Sequence, residues 1–564
     1  MRIRSALPPH PDLELERCQA CGSAFFADFE VPAYEDAWGG EAALAFYQEQ
    51  GAGVDVMLAS LYAVSHDKTK RFLEIGCGFG FSVDFAARIL SWDARGIDPG
   101  PAARLGRDLL GANIDDAYLS AEVAPGTKVS DLMLCSEVIE HIEDPDPFLN
   151  TLAANLAQDG TILFTTPNAD AIVPETSPAT LAPLLSPGYH VIIYSPKGLR
   201  IALKRNGFDA IEVADWGHSL RAAAARGSVR ADFSAPLDRT AYRRYLDLVA
   251  ARAKQASPLS LGMYGRLLKE RVNAGEYEAA AATLEPIRTA LRERWGLDLD
   301  APETMPLDGS MPGSLEDLHR IHPFNLATLL YMTGMLFLVR DERQKAFAAF
   351  TAAAKAADRV RTVLRAIGSD DGETEELGWR SRAAMVRLAA KRDPDGAAPA
   401  LERFASEARP PLNERPPLRI VDDLRRDVFV LMVNDGRHMA ADRLAAAVEK
   451  AGLPENSAGV STGFALGLLE LNHRNSPKRA MQHFEQARAR QERLASAPYS
   501  SRSFVWALRF HEGLAALKAR EREHGREALD PLLQATAAYG EADAAYAERA
   551  RTLARDHGLI RRGH

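Results

Sequence analysis

Two hydrophobic periods divide the chain. Up to about residue 215, short apolar runs rich in Ile, Leu, Val and Phe alternate with amphipathic stretches. Beyond it the sequence turns Ala- and Arg-rich, with apolar residues every three to four positions and few strand formers. Strands are expected at 71–75, 93–98, 116–119, 131–135, 161–166, 190–194 and 209–214, with helices between most of them. That alternation predicts a Rossmann-like α/β fold, a parallel, doubly wound sheet, followed by an all-α helical-repeat domain. The boundaries read as an arm at 1–35, the α/β domain at 36–218, a helical linker at 219–262 and the helical domain at 263–564. Ahead of the first strand, Phe46, Tyr47 and Met57 suit one or two leading helices.

Within the helical part a small residue is followed four later by a large apolar one and three after that by a second small one. Ala346-Phe350-Ala353, Ala480-Phe484-Ala487, Ala440-Leu444-Ala447 and Ala528-Leu532-Ala535 fit, with looser copies at Ala280 and Leu284 and at Ala400 and Phe404. Gly334 stands where two helices would cross closely. Small residues let backbones approach and large ones fill the gaps, so the pattern resembles degenerate tetratricopeptide-type hairpins with insertions at 298–323 and 368–376. An irregular helical bundle would use the same spacing.

The most informative stretch is 72–80, Phe-Leu-Glu-Ile-Gly-Cys-Gly-Phe-Gly, a buried strand that breaks into a glycine-rich turn with an amphipathic helix behind it. Glycines at Gly76, Gly78 and Gly80 let the backbone turn tightly and approach a ligand at a helix N-terminus. Asp98, at the end of the next strand, is where a ribose hydroxyl pair would lie. Here the chain resembles the class I S-adenosylmethionine-dependent methyltransferases, whose first motif has the form ExGxGxG. Residues 130–145 (Ser-Asp-Leu-Met-Leu-Cys-Ser-Glu-Val-Ile-Glu-His-Ile-Glu-Asp-Pro), Gly160 to Asn168, and the closing run His190 to Tyr194 with Gly207-Phe208 resemble the ubiquinone-biosynthesis-like, type 23 branch.

The resemblance implies S-adenosylmethionine as cofactor. The Gly76–Gly80 backbone would touch its methionine part, Glu74 would orient the loop or the amino group, and Asp98 would bond both ribose hydroxyls. Ser120 or Glu122 would stand in for the acid that faces adenine, with Glu137 also at the cofactor, and the helices before the first strand would cover the pocket. Glu137, Glu140 and His141 form ExxEH, a triplet that resembles a proposed metal site holding a divalent cation such as magnesium. His141 could equally be a base or a substrate-positioning group, or the Glu140-His141 pair a structural one. His190 would face the acceptor as a second candidate base or sit as a strand-end histidine. The proline-rich stretch 169–187 is a candidate lid.

Composition narrows the partners. At 564 residues more than one domain is expected, and 46% hydrophobic content is that of a globular protein. A net charge of −9 argues against sequence-independent binding of nucleic acid. No apolar run of membrane-spanning length and no secretory signal is read, so a cytoplasmic location is expected. Four cysteines make no disulfide framework. Cys18 and Cys21 form a CxxCG knuckle resembling half of the zinc ribbon of some sugar methyltransferases; it reads as degenerate and metal-free, with His10 the nearest extra ligand. Two functions stay open: an O-methyltransferase acting on a small-molecule or carbohydrate-like (glycan) acceptor, with helices for docking a protein partner or for self-association, and a scaffold that retains the cofactor module.

Overall fold

The computed structural model describes residues 2–3, 13–26, 40–68, 70–121, 129–494, 502–534 and 541–560. Their strands are β1 (Arg2–Ile3), β2 (Leu13–Arg17), β3 (Ala24–Phe26), β4 (Arg71–Ile75), β5 (Asp93–Ile97), β6 (Ile114–Asp115), β7 (Ser130–Ser136), β8 (Leu156–Pro167), β9 (Ile192–Ile193), β10 (Ala210–Asp215) and β11 (Ser219–Ala225). Seven form one sheet in the order β10-β11-β8-β7-β4-β5-β6. The run from β8 to β6 is parallel, while β11 pairs antiparallel with both β8 and β10.

Alternate residues of the central strands enter different cores, as burial of both faces requires. Phe72, Leu132, Leu134 and Leu163 pack with the helix Phe81–Arg88. Leu73, Ile75, Met133, Cys135, Ile162 and Phe164 pack on the other side with Leu149, Leu152, Leu199 and Leu203 from the helices Pro145–Asn155 and Pro196–Arg205. Strand order reverses at β4, since β5 lies on one side of it and β7 on the other. The crevice beyond the carboxyl ends of β4 and β7 is therefore the topological switch point, where open α/β sheets bind ligands.

Several expectations need correction. The α/β domain does not end at 218, because Ser219–Ala225 is a full strand of the sheet. Ala222 to Ala225 are buried between the layers, where small side chains are needed, and an alanine run reads as helix only when that packing is unknown. The strand expected at 190–194 shrinks to β9, which joins β1, β2 and β3 in a separate antiparallel sheet instead of the main one. The arm thus packs on the α/β layer through Leu13, Leu15, Ala24 and Phe26, against Ile172, Leu181 and Leu185. The strand expected at 116–119 is Ile114–Asp115.

Nor does 219–262 behave as a linker. Tyr245, Leu246 and Val249 of the helix Arg239–Arg252, and Met263 and Leu267 of the helix Pro258–Asn273, lie in the same core as Phe79, Phe81 and Phe85. Tyr245 also donates from its hydroxyl to the Phe81 carbonyl at 3.2 Å. The chain divides into compact units at Met1–Ser381 and Arg382–His564.

In the first unit, Gly334 lies against the Phe350 ring, 2.8 Å from where a Cβ would stand, so the expected close crossing is present. The stretch Leu315–Val339 is long and apolar enough to cross a membrane, and 78% of its apolar window is buried inside the protein. In the second unit consecutive helices pack on one another in the same manner, with Gly467 against Phe484 and Gly513 against Leu529. Ala480, Phe484 and Ala487 are fully buried. The anchors at Ala440 and Ala447 are displaced, however: the buried stripe of the helix His438–Ala451 is Ala441, Leu444, Ala445 and Val448. Ala400 is likewise half-buried, beside buried Ala397, Leu401 and Phe404. Ala535 lies outside the described residues.

Candidate active site

The turn after β4 is built as its glycines demand. Gly76, Gly78 and Gly80 have φ of 65°, 50° and 77°, the left-handed region that favours glycine. A Cβ on Gly76 would stand 2.4 Å from Val138 and one on Gly80 2.5 Å from Ile114, so both are packing positions. Gly78 is different, for its nearest neighbour there is the Tyr47 hydroxyl at 3.6 Å. The turn leads into the N-terminus of the helix Phe81–Arg88.

Asp98 sits beside this turn. Its Oδ2 accepts from the Gly78 N–H at 2.8 Å and its Oδ1 from the Gly100 N–H at 2.6 Å, so the acid and the loop fix each other. Burial raises its pKa, and the two backbone donors oppose that rise. Glu74 is 3% exposed, and its Oε2 has no hydrogen-bond partner. Burial pushes its carboxyl up to about 8, against the pull of the Ser82 hydroxyl and with the Asp98 charge adding to it. A buried carboxyl with an orphaned oxygen is costly unless a cation or donor completes it. The α-ammonium of S-adenosylmethionine is such a group, so these residues fit the cofactor. Ser120 lies on an exposed stretch after β6, where its carbonyl accepts from Asn155 Nδ2 at 2.9 Å. Glu122 lies outside the described residues.

Across the crevice, at the end of β7, Glu137 takes φ 54°, a left-handed conformation that costs a side-chain-bearing residue roughly 1–2 kcal/mol. Its Oε1 accepts from Thr165 Oγ1 at 2.8 Å. Glu140 is fully buried, accepts from Thr166 Oγ1 at 3.0 Å and leaves Oε1 unpartnered. Burial, then the adjacent Glu137 carboxyl, holds Glu140 well above the usual carboxylate range, and burial raises Glu137 as well.

His141 and His190 come together, with ring centroids 4.7 Å apart at 83°. His190 Nδ1 bonds the Leu184 carbonyl at 2.9 Å, and its Nε2 lies 4.0 Å from Glu140 Oε1. His141 Nδ1 bonds the Tyr189 carbonyl at 3.0 Å. Burial lowers both imidazoles, His190 to about 3 with the neighbouring His141 adding to the effect, so both are neutral near pH 7. Ligand atoms of Glu140, His141 and His190 lie within 4.8 Å of one another. Glu137 thus bonds Thr165 while staying beside Glu140, and His190 joins Glu140 and His141 in one cluster.

The stretch 169–187 covers this side as a packed element. It contains the helix Pro178–Leu185, whose Ala179, Leu181, Ala182, Leu184 and Leu185 are buried. Ser177, its N-cap, also donates to Glu375 Oε2 at 2.9 Å. Cys18 and Cys21, in the β2–β3 turn, are half-exposed free thiols. Among the described residues neither belongs to a group of three metal-ligating side chains, and His10 lies outside them.

Tyr47, Thr165 and Thr166 are site residues that sequence reasoning had not assigned. Tyr47 stacks on Phe81 with centroids 6.2 Å apart, and burial, then the Glu74 charge, pushes its phenol far up, keeping it a protonated donor. The Thr165-Thr166 pair ends β8 beside the glutamates, and two hydroxyls closing a buried strand were the available signal.

Residues 50–213 match the family model described as a methyltransferase domain. Over 137 residues the chain is 33% identical to the ubiquinone biosynthesis O-methyltransferase of Dinoroseobacter shibae, an alignment that covers 23% of this chain and 52% of that protein. The chain thus spans about half the length of the curated relative it matches. Solved structures that it resembles include an O-methyltransferase family protein from Burkholderia thailandensis (16% identical, 33% of this chain and 60% of that one, TM-score 0.27). Another is an S-adenosylmethionine-dependent methyltransferase from Mesorhizobium loti (16% identical, 30% and 99%, TM-score 0.24).

Proposed function

We propose that the protein transfers the methyl group of S-adenosylmethionine to an oxygen of a small-molecule or carbohydrate-like acceptor. The observation that carries this reading is the crevice at the β4–β7 switch point, where Gly78 opens toward Tyr47 and two acids stand ready for a cofactor. Glu74 offers an unpartnered carboxyl oxygen to the ammonium, and Asp98, steadied by the Gly78 and Gly100 amides, offers the ribose its remaining lone pairs. The matched methyltransferase domain supports the same reading.

The sulfonium is already activated, so the acceptor oxygen displaces S-adenosylhomocysteine in line and the protein's task is mainly orientation. The acceptor proton must leave, and a neutral imidazole at the acceptor edge is suited to receive it. We assign that role to His141, the more exposed of the pair, with His190 and Glu140 packed behind it. A second reading uses Glu140, His141 and His190 to hold a divalent cation. Two neutral imidazoles with one carboxyl suit a borderline ion such as zinc better than magnesium, which prefers oxygen ligands. The helical hairpins of the second unit, which remain tetratricopeptide-like only by proposal, would dock a partner or a second copy, and the protein would work in the cytoplasm.

The test is incubation of the full chain with methyl-labelled S-adenosylmethionine and a small-molecule extract. A labelled product lost in His141→Ala, with activity retained in excess chelator, supports His141 as the base. Loss with chelator and recovery with zinc supports the cation. Absence of both product and cofactor binding would favour the scaffold.

A further inference from the structure

Tyr47 opens a short π-helix, Tyr47–Gly51, closed by an Ala52 N–H to Tyr47 carbonyl bond of 2.9 Å. Such turns are rare and gather at functional sites. Here Gln48, Glu49 and Gln50 are all buried; the Gln48 amide bonds back to the Leu44 carbonyl at 3.2 Å, while the carbonyls of the turn and the side chains of Glu49 and Gln50 are held from sequence far downstream. Arg266 donates through Nη1 to the Gln48 and Glu49 carbonyls at 2.8 and 3.4 Å, and through Nη2 to those of Gln50 and Ala52 at 3.4 and 2.8 Å. Glu49 takes the Phe324 N–H on Oε2 at 2.7 Å and faces His319 Nε2 with Oε1 at 3.0 Å. Gln50 accepts from Thr328 Oγ1 at 3.2 Å and donates to Asp371 Oδ2 at 3.5 Å. A Cβ on Gly262 would stand 2.0 Å from the Gln48 carbonyl oxygen, so only glycine lets the helix Pro258–Asn273 lie this close.

A half-buried guanidinium spent on backbone carbonyls beside a buried carboxylate is a poor source of net stability, because both groups give up water to be held there. What it does supply is a single geometry. The turn so fixed has two sides: residues 48–50 are gripped by the helical layer, while Tyr47 faces Phe81 and Gly78.

We propose that the helical layer from Pro258 to Asp371 is part of the cofactor site, acting through this turn: Arg266 and Glu49 are positioning residues that hold the Tyr47 hydroxyl where it donates to an oxygen of the cofactor at Gly78. The inference rests on the cofactor reading above. It assigns the layer a role in cofactor affinity, over and above any docking by the helices that follow.

The experiment is calorimetric titration of the full chain with S-adenosylmethionine, for the wild type, Asp98→Ala, Arg266→Lys, Tyr47→Phe and the Arg266→Lys/Tyr47→Phe pair. Lysine keeps the charge but cannot fork to four carbonyls. Each single variant of Arg266 and Tyr47 is expected to weaken binding on the order of tenfold, the size of one hydrogen bond to a charged group. The pair should weaken it no more than the worse single, because Arg266 acts through Tyr47. Multiplication of the two losses, or an unchanged affinity in either single variant, would overturn the proposal. If Arg266→Lys fails to fold, the isosteric Glu49→Gln releases the turn from the other side, and it must show the same dependence on Tyr47. Wild-type binding that Asp98→Ala weakens but these variants do not would leave the cofactor reading standing and remove only this inference. No binding by the wild type would overturn both.

Discussion

The Tyr47 hydroxyl lies 3.6 Å from the point where a Cβ on Gly78 would stand, the one position of the ExGxGxG turn whose space is not filled by packing. Gly78→Val would place two methyl groups in that opening. The left-handed φ adds a cost of roughly 1–2 kcal/mol, small enough for a large domain to stay folded. The expected outcome is a protein that melts within a few degrees of the wild type and does not bind S-adenosylmethionine. Gly106→Ala is the contrasting case, because its Cβ would meet the Phe79 carbonyl oxygen at 2.0 Å and should disturb folding itself. Thermal melting together with cofactor titration separates the two.

Acid and alkali should act on opposite sides of the crevice. His190, held down to about 3 by burial and by His141, contributes stability that is complete above pH 6.5 and lost as the pH falls toward 3. Glu74, raised to about 8 by burial, contributes stability complete below pH 4.5 and lost as the pH climbs through 8. His190→Gln should therefore flatten the acid limb of a Tm-against-pH curve, and Glu74→Gln the alkaline limb. A variant that kept the wild-type slope on its own side would contradict the burial assigned to that group.

Phe350 and Phe484 are both fully buried, each facing a glycine on the preceding helix, Gly334 and Gly467. Replacing either by alanine should cost about 3–5 kcal/mol. The consequences differ because the two lie in different compact units. Phe350→Ala loosens the unit that carries the cofactor crevice and should weaken S-adenosylmethionine binding in step with stability. Phe484→Ala should lower a melting transition while leaving cofactor affinity within about twofold. Differential scanning calorimetry with and without cofactor checks this, since only transitions of the cofactor-bearing unit should rise on ligation.

What could be read from the sequence was local. The turn from Glu74 to Gly80 and the acid at Asp98 follow from backbone chemistry within a few residues, and the structure places them together. Strand Ser219–Ala225 was missed because four consecutive alanines favour helix when isolated, and only burial between two layers selects the extended form. The sheet that takes up β9 escaped because its partners lie in an arm far upstream, and a two-residue strand leaves almost no pattern. The meeting of His190 with Glu140 and His141 depends on the path of a long connection, which residue spacing does not encode. The grip of Arg266 on residues 48–52 joins segments too distant for periodicity to relate.

The central claim is that the crevice beyond β4 and β7 binds S-adenosylmethionine through Asp98 and the glycine turn. Titration calorimetry of the full chain, wild type beside Asp98→Ala, tests it most directly. The wild type should bind one equivalent, and the variant should bind roughly ten- to a hundredfold more weakly, as the loss of charge-assisted hydrogen bonds worth about 1.5–3 kcal/mol requires. Equal dissociation constants for the two proteins, or no binding by the wild type, would contradict it.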